Sequence, residues 1–437
     1  MASVRRIAFA AAAFLALLSA WKVPASAAEP PPDTAAAIAD NVVWELDQVV
    51  RIALARHPLV AQADAETRAA AARKGQAQAV YYPQIHLSTG YSTLRSFSPA
   101  ADEHLSTSSE FIEGSLSQVL TDFGRTKAAV GRTDALLASA RESGRSVRYD
   151  VAFAAKVAFY NVLRAQRILS VRRDTVQQRE SLLRQARAYY EAGIRARIDV
   201  ARAEANLYQA QAERTGAEND LRVARITLLN RMGIDGPRDY EVRYTLPTEP
   251  FPGTMEEWVR EAESGRPELR ALLERERAAE MALRAASAGH NPTLTANGEY
   301  GYAAEEPPLK ETYSLTVQLS VPVFTGFLVS RQTAEARAQL DAARYAVIDF
   351  RRLVRLEVEQ AALSVRAASE RADARRKEKE ASEENLRLAT GRYQVGAGDI
   401  IEMIDAQVQM ARSDTDWIGA LYDYNVSIAS LMRAMGK

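Results

Sequence analysis

The sequence contains no cysteine among its 437 residues. This absence excludes disulfide bonds, zinc sites built from thiolates and a lipid anchor attached to an N-terminal cysteine. Four histidines lie far apart in the sequence, without the close and repeated spacing of a metal site: His57, His86, His104 and His290. We therefore expect no metal and no cofactor, and we expect the fold to be stabilised by packing alone.

The chain also lacks an excess of charge of either sign. Lys and Arg total 56 and Asp and Glu total 56, so the formal net charge is 0 at pH 7. Because domains that bind nucleic acid usually carry a basic excess, this balance argues against a nucleic-acid partner. The sequence has no nucleophile elbow, phosphate loop, paired-histidine motif or glycine-rich dinucleotide turn. We therefore expect that the protein is not an enzyme.

Long apolar runs are absent except near the N-terminus. Arg5 and Arg6 precede a 14-residue apolar run over residues 7–20, and small residues follow at 24–28. This order is typical of a secretory signal peptide, whereas a membrane-spanning helix needs about 20 apolar residues. We predict that residues 1–27 are a cleaved signal peptide, which leaves an exported chain with a net charge near −3. No later apolar run is long enough for a transmembrane helix.

The two halves of the sequence resemble each other. Residues 116–233 align without a gap on residues 319–436, at an offset of 203. Residues 58–91 align on residues 267–300 at an offset of 209, so six extra residues lie in the first half between Tyr91 and Leu116. Such repetition indicates one structural unit used twice. We predict a first repeat over residues 28–233, a proline-rich connector over 234–265 and a second repeat over 266–437.

Proline and glycine are nearly absent from two long stretches. Residues 124–188 contain no proline and are rich in Ala, Arg, Glu, Gln and Leu, and residues 329–390 are their equivalent. These residue types favour helices. In the second stretch, apolar residues recur at steps of three and four, as in a coiled-coil seam. Because many of them are alanine, we expect close packing against partner helices from the same chain or from other chains.

The periodicity changes from helical to alternating after two proline breaks. Tyr82-Pro83 follows a predicted helix over residues 44–81, and Asn291-Pro292 follows one over residues 267–290. The clearest alternation of apolar and polar residues covers residues 313–321. We predict four strands of about ten residues, the length of a membrane strand, in two pairs joined by loops at 95–109 and 303–311. A half-buried soluble sheet also alternates in this way. If the strands span a membrane, four are too few to close a barrel, so several chains must share one.

Each half also contains a tyrosine–glycine turn after its long helical stretch. Tyr190 and Gly193 lead to Asp199, and Tyr393 and Gly396 lead to Asp399. A glycine that ends one helix and an acidic residue that begins the next predict a hairpin of two helices.

The duplicated order of helix, proline break, strand pair, long helix and Tyr-x-x-Gly hairpin resembles the TolC-type outer-membrane efflux proteins (outer-membrane factors). The resemblance covers about residues 44–436, and residues 116–125 and 319–327 are similar to the family's Leu-Ser-x-Pro-Leu-Phe-x-Gly-Gly-like run. It implies a mostly α fold with a small β part, in which a homotrimer forms one 12-stranded β-barrel in the outer-membrane lipid and an α-barrel across the periplasm.

The resemblance further implies a passive outer-membrane channel of a tripartite efflux pump. Its partners would be a periplasmic adaptor (membrane fusion) protein and an inner-membrane pump of the RND or ABC type. The helical tips would form the periplasmic entrance, closed by a contact between Asp199 and Tyr393 and narrowest at rings of Glu402 and Asp405. Spacing alone also fits Glu402 and Asp405 as ordinary acids of a helix N-terminus.

The glycine-centred tips are the adaptor contact that the resemblance implies, through Gly193, Ile194, Gly396 and Ala397. Relatives can carry an arginine in the closing contact where this chain has Gly398, so we expect its gate to close differently.

Three alternatives share some of these features. A channel for type I protein secretion would use the same kind of duct, with its cargo chosen mostly by the pump. A soluble periplasmic coiled-coil scaffold would explain the helical seams and the signal peptide, but not the paired alternating strands. A periplasmic adaptor usually has one helical hairpin together with a lipoyl-like domain, whereas this sequence has two duplicated hairpins.

Overall fold

A computed structural model describes residues 43–98, 103–235, 240–244, 251–304 and 308–437. The predicted signal peptide lies outside these ranges. The described chain is mostly helical with a small sheet part, as the sequence predicts. Its helices are α1 (Leu46–Arg56), α2 (Pro58–Gln78), α3 (Arg125–Glu191), α4 (Arg197–Met232), α5 (Met255–Gly265), α6 (Pro267–Ser287), α7 (Leu328–Gln394) and α8 (Ile400–Ala434). Its strands are β1 (Val43–Trp44), β2 (Gln84–Ser98), β3 (Glu103–Thr121), β4 (Glu241–Val242), β5 (Thr293–Ala304) and β6 (Lys310–Ser320).

Two helical hairpins, over residues 125–232 and 328–434, make up about half of the chain. The long helices α3 and α7 each have 67 residues, which corresponds to roughly 100 Å at 1.5 Å per residue. Helix α3 packs against α4, α7 packs against α8, and contacts between α3 and α8 join the two hairpins. The predicted seam of α7 is buried at Leu340, Val347, Val354, Val358 and Val365. The chain thus supplies part of the helix packing that its alanine-rich seams require.

Prolines divide the helices that precede each strand pair. The sequence predicts one helix over residues 44–81, but the structure has two, because Pro58 occupies the first position of α2 and His57 is extended, with φ −67° and ψ 127°. Arg266 and Pro267 divide α5 from α6 in the same way. The latter part of the connector is helical because Thr254 and Glu257 form a reciprocal capping box at the start of α5.

The glycine near the end of each repeat lies against the residue that precedes Pro58 in the first repeat and Pro267 in the second. Gly233 follows α4 with φ 67°, and a Cβ atom there would lie 2.7 Å from the Cα atom of His57. Gly436 follows α8 with φ 79°, and a Cβ atom there would lie 2.9 Å from the Cα atom of Arg266. Because both glycines combine a left-handed backbone with a close approach to another segment, a larger residue at either position would displace a helix end.

The strands form a four-stranded antiparallel sheet in the order β2-β3-β5-β6. Contrary to the sequence prediction, most of residues 95–109 is strand rather than loop, since β2 has 15 residues and β3 has 19. Where this extension joins the rest of the hairpin, Ser108 and Ser109 pair with residues of β2, with 2.7 Å between the hydroxyls of Ser92 and Ser109 and 3.3 Å between those of Thr93 and Ser108. The extra length of the first repeat therefore lies in its longer strand pair.

The sheet has one apolar and one polar face, because residues directly opposite one another share a face. One row across all four strands contains Ile85, Leu116, Gly298 and Leu315, and the adjacent row contains Gln84, Ser117, Asn297 and Thr316. The described residues leave the apolar face uncovered, since Tyr313 and Leu315 are each 81% exposed. Strands β2 and β6 are the two edges of this sheet within the described residues.

Candidate functional site: the paired helical tips

The two hairpin turns are built in the same way. Gly193 and Gly396 have φ values of 70° and 77°, the left-handed conformation that ends a helix. The amide of Ile194 donates a hydrogen bond to the Tyr189 carbonyl, and the amide of Ala397 donates one to the Arg392 carbonyl. Each bond is 2.9 Å long and spans five residues. This pairing satisfies a carbonyl in the last turn of α3 and of α7, so each long helix ends in a hydrogen-bonded turn.

Tyr393 lies in an apolar cluster between the two tips and is only 1% exposed. Its ring centroid is 6.1 Å from that of Tyr189 on the first hairpin. The buried members of this tip cluster come from both hairpins: Leu182, Leu183, Ala186, Ala203, Tyr393, Ile400, Met403 and Ile404. The two hairpins of one chain are thus held together at their ends by buried apolar surface.

Arg195 connects the first turn to the second. Its guanidinium carbon lies 5.6 Å from the centroid of the Tyr393 ring, and its Nη2 donates a hydrogen bond to the Gly398 carbonyl oxygen at 3.0 Å. Gly398 is itself confined, because a Cβ atom there would lie 3.1 Å from both the Cβ atom of Arg392 and the amide nitrogen of Tyr393. The tip therefore combines a cation–π contact with a charge-assisted hydrogen bond.

Sequence reasoning did not single out Arg195, although the repeat contains a signal for it. At the offset of 203 residues, Arg195 is the counterpart of Gly398. The arginine that the resemblance places at position 398 is thus absent there, and an arginine stands at the equivalent position of the other repeat.

The structure brings Asp199 and Tyr393 together within one chain, without a hydrogen bond between them. Asp199 is 8% exposed in the first turn of α4, and the Tyr393 hydroxyl has no hydrogen-bond partner within the described chain. Burial raises the pKa of Tyr393, and the charge of Asp199 raises it further, whereas Arg195 acts in the opposite direction. Tyr393 is therefore a neutral side chain at physiological pH, held between an anion and a cation.

Glu402 and Asp405 lie on the exposed side of α8. The Oε1 atom of Glu402 is 3.4 Å from Nε of Arg392, an ion pair across the hairpin whose side chains are 44% and 60% exposed. No described residue forms an ion pair with Asp405. The two carboxylates thus differ, because an exposed cation compensates only the first.

The outer ends of the tips are apolar and exposed. Ile194 is 65% exposed and Val395 is 79% exposed. Gly193, Gly396 and Ala397 are exposed beside them. These residues form a small apolar surface at the end of each hairpin, separate from the buried tip cluster.

Within the described ranges, no group of three or more His, Asp or Glu side chains is placed to hold a metal ion. In the same described ranges, no helix is long and apolar enough to cross a membrane.

Known proteins resemble this chain over most of its length. The family described as outer membrane efflux protein matches residues 49–233 and 258–437. The outer membrane protein TolC of Vibrio cholerae is 26% identical over 423 residues, covering 91% of this chain and 92% of TolC. The outer membrane efflux protein BepC of Brucella suis is 25% identical over 366 residues, covering 83% and 78%. A crystal structure of a membrane protein from Pseudomonas aeruginosa shares the fold, with a TM-score of 0.79, 24% identity and coverage of 89% and 93%.

Proposed function

This chain belongs to the outer membrane efflux protein family, and from that membership we propose that three copies form the outer-membrane channel of a tripartite efflux pump. The family places the chain in the outer membrane, where it acts as a transport duct and not as an enzyme. In the proposed assembly, an inner-membrane pump supplies the energy and a periplasmic adaptor protein connects the pump to the duct. The assembled chains form a water-filled duct through which the cargo passes passively.

The observation that supports assembly from several copies is the four-stranded sheet. Within the described residues its apolar face is uncovered and its edge strands β2 and β6 are unpaired. Its four strands are too few to close a barrel. In lipid, each unpaired backbone group on the edge strands β2 and β6 would cost several kcal/mol. Pairing β6 of one copy with β2 of the next removes both edges and turns the apolar face toward lipid, with the polar rows toward the lumen.

The junctions between strands and helices support a membrane boundary at this level. Phe324 is 76% exposed, Phe327 is 69% exposed and Phe123 is 56% exposed. Phe123 and Phe327 have φ values of 51° and 66°, a backbone conformation that non-glycine residues seldom adopt. The Phe123 carbonyl accepts a hydrogen bond from Asn291 Nδ2 at 3.1 Å. Exposed rings at one level of a membrane protein are typical of the boundary between hydrocarbon and water.

The tips are the proposed gate. In this proposal, Arg195, Tyr393 and Asp199 hold the two hairpins of each chain in a closed position. Glu402 and Asp405 of three chains surround the aperture and favour cations. The adaptor binds the exposed ends at Gly193, Ile194, Gly396 and Ala397 and opens the gate by separating the hairpins.

The first experiment measures the assembly and its conductance. The detergent-purified protein should have the mass of three chains by light scattering, and it should form discrete conducting units in planar lipid bilayers. A monomer in detergent, or a protein that remains dispersed in buffer without detergent, would exclude the shared barrel and leave the soluble scaffold.

A second experiment separates efflux from type I secretion, because both use the same kind of duct. Deleting the gene in the native host should increase its susceptibility to small toxic compounds. Loss of a secreted protein from the medium, with unchanged susceptibility, would instead support the secretion channel.

A further inference from the structure

The strongest unassigned feature is a buried arginine between the two hairpins. Arg179 lies on α3 and is only 4% exposed. Its Nη1 donates a hydrogen bond to Oε1 of Gln407 on α8, which is 7% exposed. The described residues place no carboxylate within ion-pairing distance of the Arg179 guanidinium. A guanidinium has five N–H donors, so one neutral partner leaves most of its hydrogen-bonding capacity unused.

Arg179 also lines a cavity of about 270 Å³ between α3, α4 and α8. Two further arginines line it, Arg172 and Arg412. The carboxylates in its wall are already paired. Glu213 lies 2.8 Å from Arg172, and Asp416 lies 3.3 Å from Arg375 and 4.0 Å from Arg412. The cavity therefore contains a positive charge, on Arg179, that forms no ion pair with any described residue of its wall.

A buried charge without a counterion is unfavourable, because the low-dielectric interior does not replace its hydration. Burial lowers the pKa of Arg179, although the more distant Glu213 acts in the opposite direction. Arginine nevertheless keeps its proton inside proteins. The remaining way to neutralise Arg179 is an anion that enters from solvent.

We propose that this cavity binds a small oxyanion, either a free carboxylate or a tetrahedral anion such as phosphate, with Arg179 as its charged anchor. Arginine matches oxyanions because its planar donors can bond two oxygens at once. Asn206 and Gln209 on α4 line the same wall, and each side-chain amide donates one N–H within α4, to the Arg202 carbonyl and to the Glu213 carboxylate, which leaves one neutral N–H donor on each. The 270 Å³ volume far exceeds the roughly 30 Å³ of one water molecule, so an anion fits together with ordered water.

The position of the cavity gives the anion a structural consequence. Helices α3 and α4 belong to the first hairpin and α8 belongs to the second. An anion held by Arg179 and Arg412 would tie the two hairpins together above the tip cluster. Because specific binding stabilises the native state by mass action, the bound anion would raise the thermal stability of the protein. That increase would depend on which anion is present rather than on the ionic strength.

The test titrates inorganic phosphate, and separately acetate, into the detergent-purified oligomer at constant ionic strength and follows thermal unfolding. The wild-type protein should show a saturable rise in Tm with at least one of the two anions. Arg179→Met, which keeps most of the side-chain volume, should weaken that apparent affinity about tenfold or more. Arg366→Met is the control, because Arg366 pairs with Glu370 on the surface of α7 and is 80% exposed. It should titrate like the wild type.

Two further measurements keep the test decisive if Arg179→Met does not fold. Arg412→Gln changes a side chain of the same wall that is 74% exposed, so it should fold and still weaken anion binding. Crystals grown with selenate should give an anomalous peak in the cavity between α3, α4 and α8. No saturable effect of either anion on the wild type, or equal affinities in Arg412→Gln and Arg366→Met, would overturn the site whatever the conductance of the channel.

Discussion

Arg195 and Gly398 are counterparts in the two repeats, 203 residues apart, and the guanidinium of Arg195 donates a 3.0 Å hydrogen bond to the Gly398 carbonyl. Internal duplication places the two tips side by side, so equivalent positions of the two copies come into contact. A side chain at position 398 would be crowded by Arg392 and Tyr393. The arginine thus stands on the first tip, where its guanidinium reaches the backbone of the second.

Replacing Arg195 should open the gate. Arg195→Gln removes the cation over the Tyr393 ring and the charged donor to Gly398. A loss of about 1–2 kcal/mol would raise the open-to-closed ratio roughly tenfold. Single-channel recording in planar bilayers measures this ratio. Arg197→Gln is the control, since Arg197 is an exposed neighbour, and equal behaviour of the two variants would exclude the proposed role of Arg195.

Alkaline pH should open the wild-type gate through Tyr393. Its pKa is raised in the folded protein by burial and by Asp199. The neutral phenol therefore stabilises the folded tip fully at pH values below about 10, the pKa of tyrosine in the unfolded chain. This contribution is lost as the pH rises through the higher pKa of Tyr393 in the folded protein. Conductance should increase reversibly in that alkaline range. Tyr393→Phe should stay closed there, and at neutral pH it should stay within about 1 kcal/mol of wild-type stability, because the hydroxyl has no hydrogen-bond partner in the described chain.

A second buried tyrosine provides the control for this pH experiment. Burial also raises the pKa of Tyr422 on α8, which lies outside the tip cluster. Tyr422→Phe should therefore keep the alkaline opening of the wild type. If Tyr393→Phe opens at the same pH as Tyr422→Phe, the alkaline transition belongs to another part of the molecule.

The charges around Glu402 should set ion selectivity. Arg392→Gln removes the cation 3.4 Å from Glu402, so the reversal potential in a KCl gradient should shift toward higher cation selectivity. Glu402→Gln combined with Asp405→Asn should shift it in the opposite direction, because a ring of carboxylates attracts cations. Arg387→Gln is the control, since Arg387 pairs with Glu384 at 2.6 Å. If the reversal potential is unchanged when both carboxylates are removed, the narrowest point of the channel lies elsewhere.

The glycine at the end of the first repeat should be sensitive to substitution. Gly233→Ala would place a Cβ atom 2.7 Å from the Cα atom of His57 at a φ of 67°. We expect a loss of about 1–3 kcal/mol and a clearly lower Tm of the purified oligomer. Gly216→Ala should be neutral or stabilising by up to about 1 kcal/mol, because Gly216 is exposed in α4 with nothing within 4 Å of the added atom. Similar Tm values for both variants would mean that the close approach to His57 does not restrict the residue at position 233.

Several fold features were readable from local patterns, and one of the features that was missed also has a local signal. Pro83 and Pro292 correctly marked the change from helix to strand, because proline acts on its own residue and the one before it. Pro58 carries the same signal, so its helix break was readable but overlooked. The polar residues within 95–109 look like a loop in the sequence, and only pairing across the hairpin makes most of them strand.

The sequence by itself determined the duplicated elements, the two-faced strands and the turn at each tip, because periodicity, proline and glycine act over a few neighbouring residues. Only the tertiary structure decided which side chains meet. Arg195 lies on Gly398, Arg392 lies beside Glu402, and Arg179 is buried against Gln407. These contacts depend on how each long helix is rotated and where it crosses its neighbour, and that geometry is set by packing over the whole hairpin rather than by any local pattern.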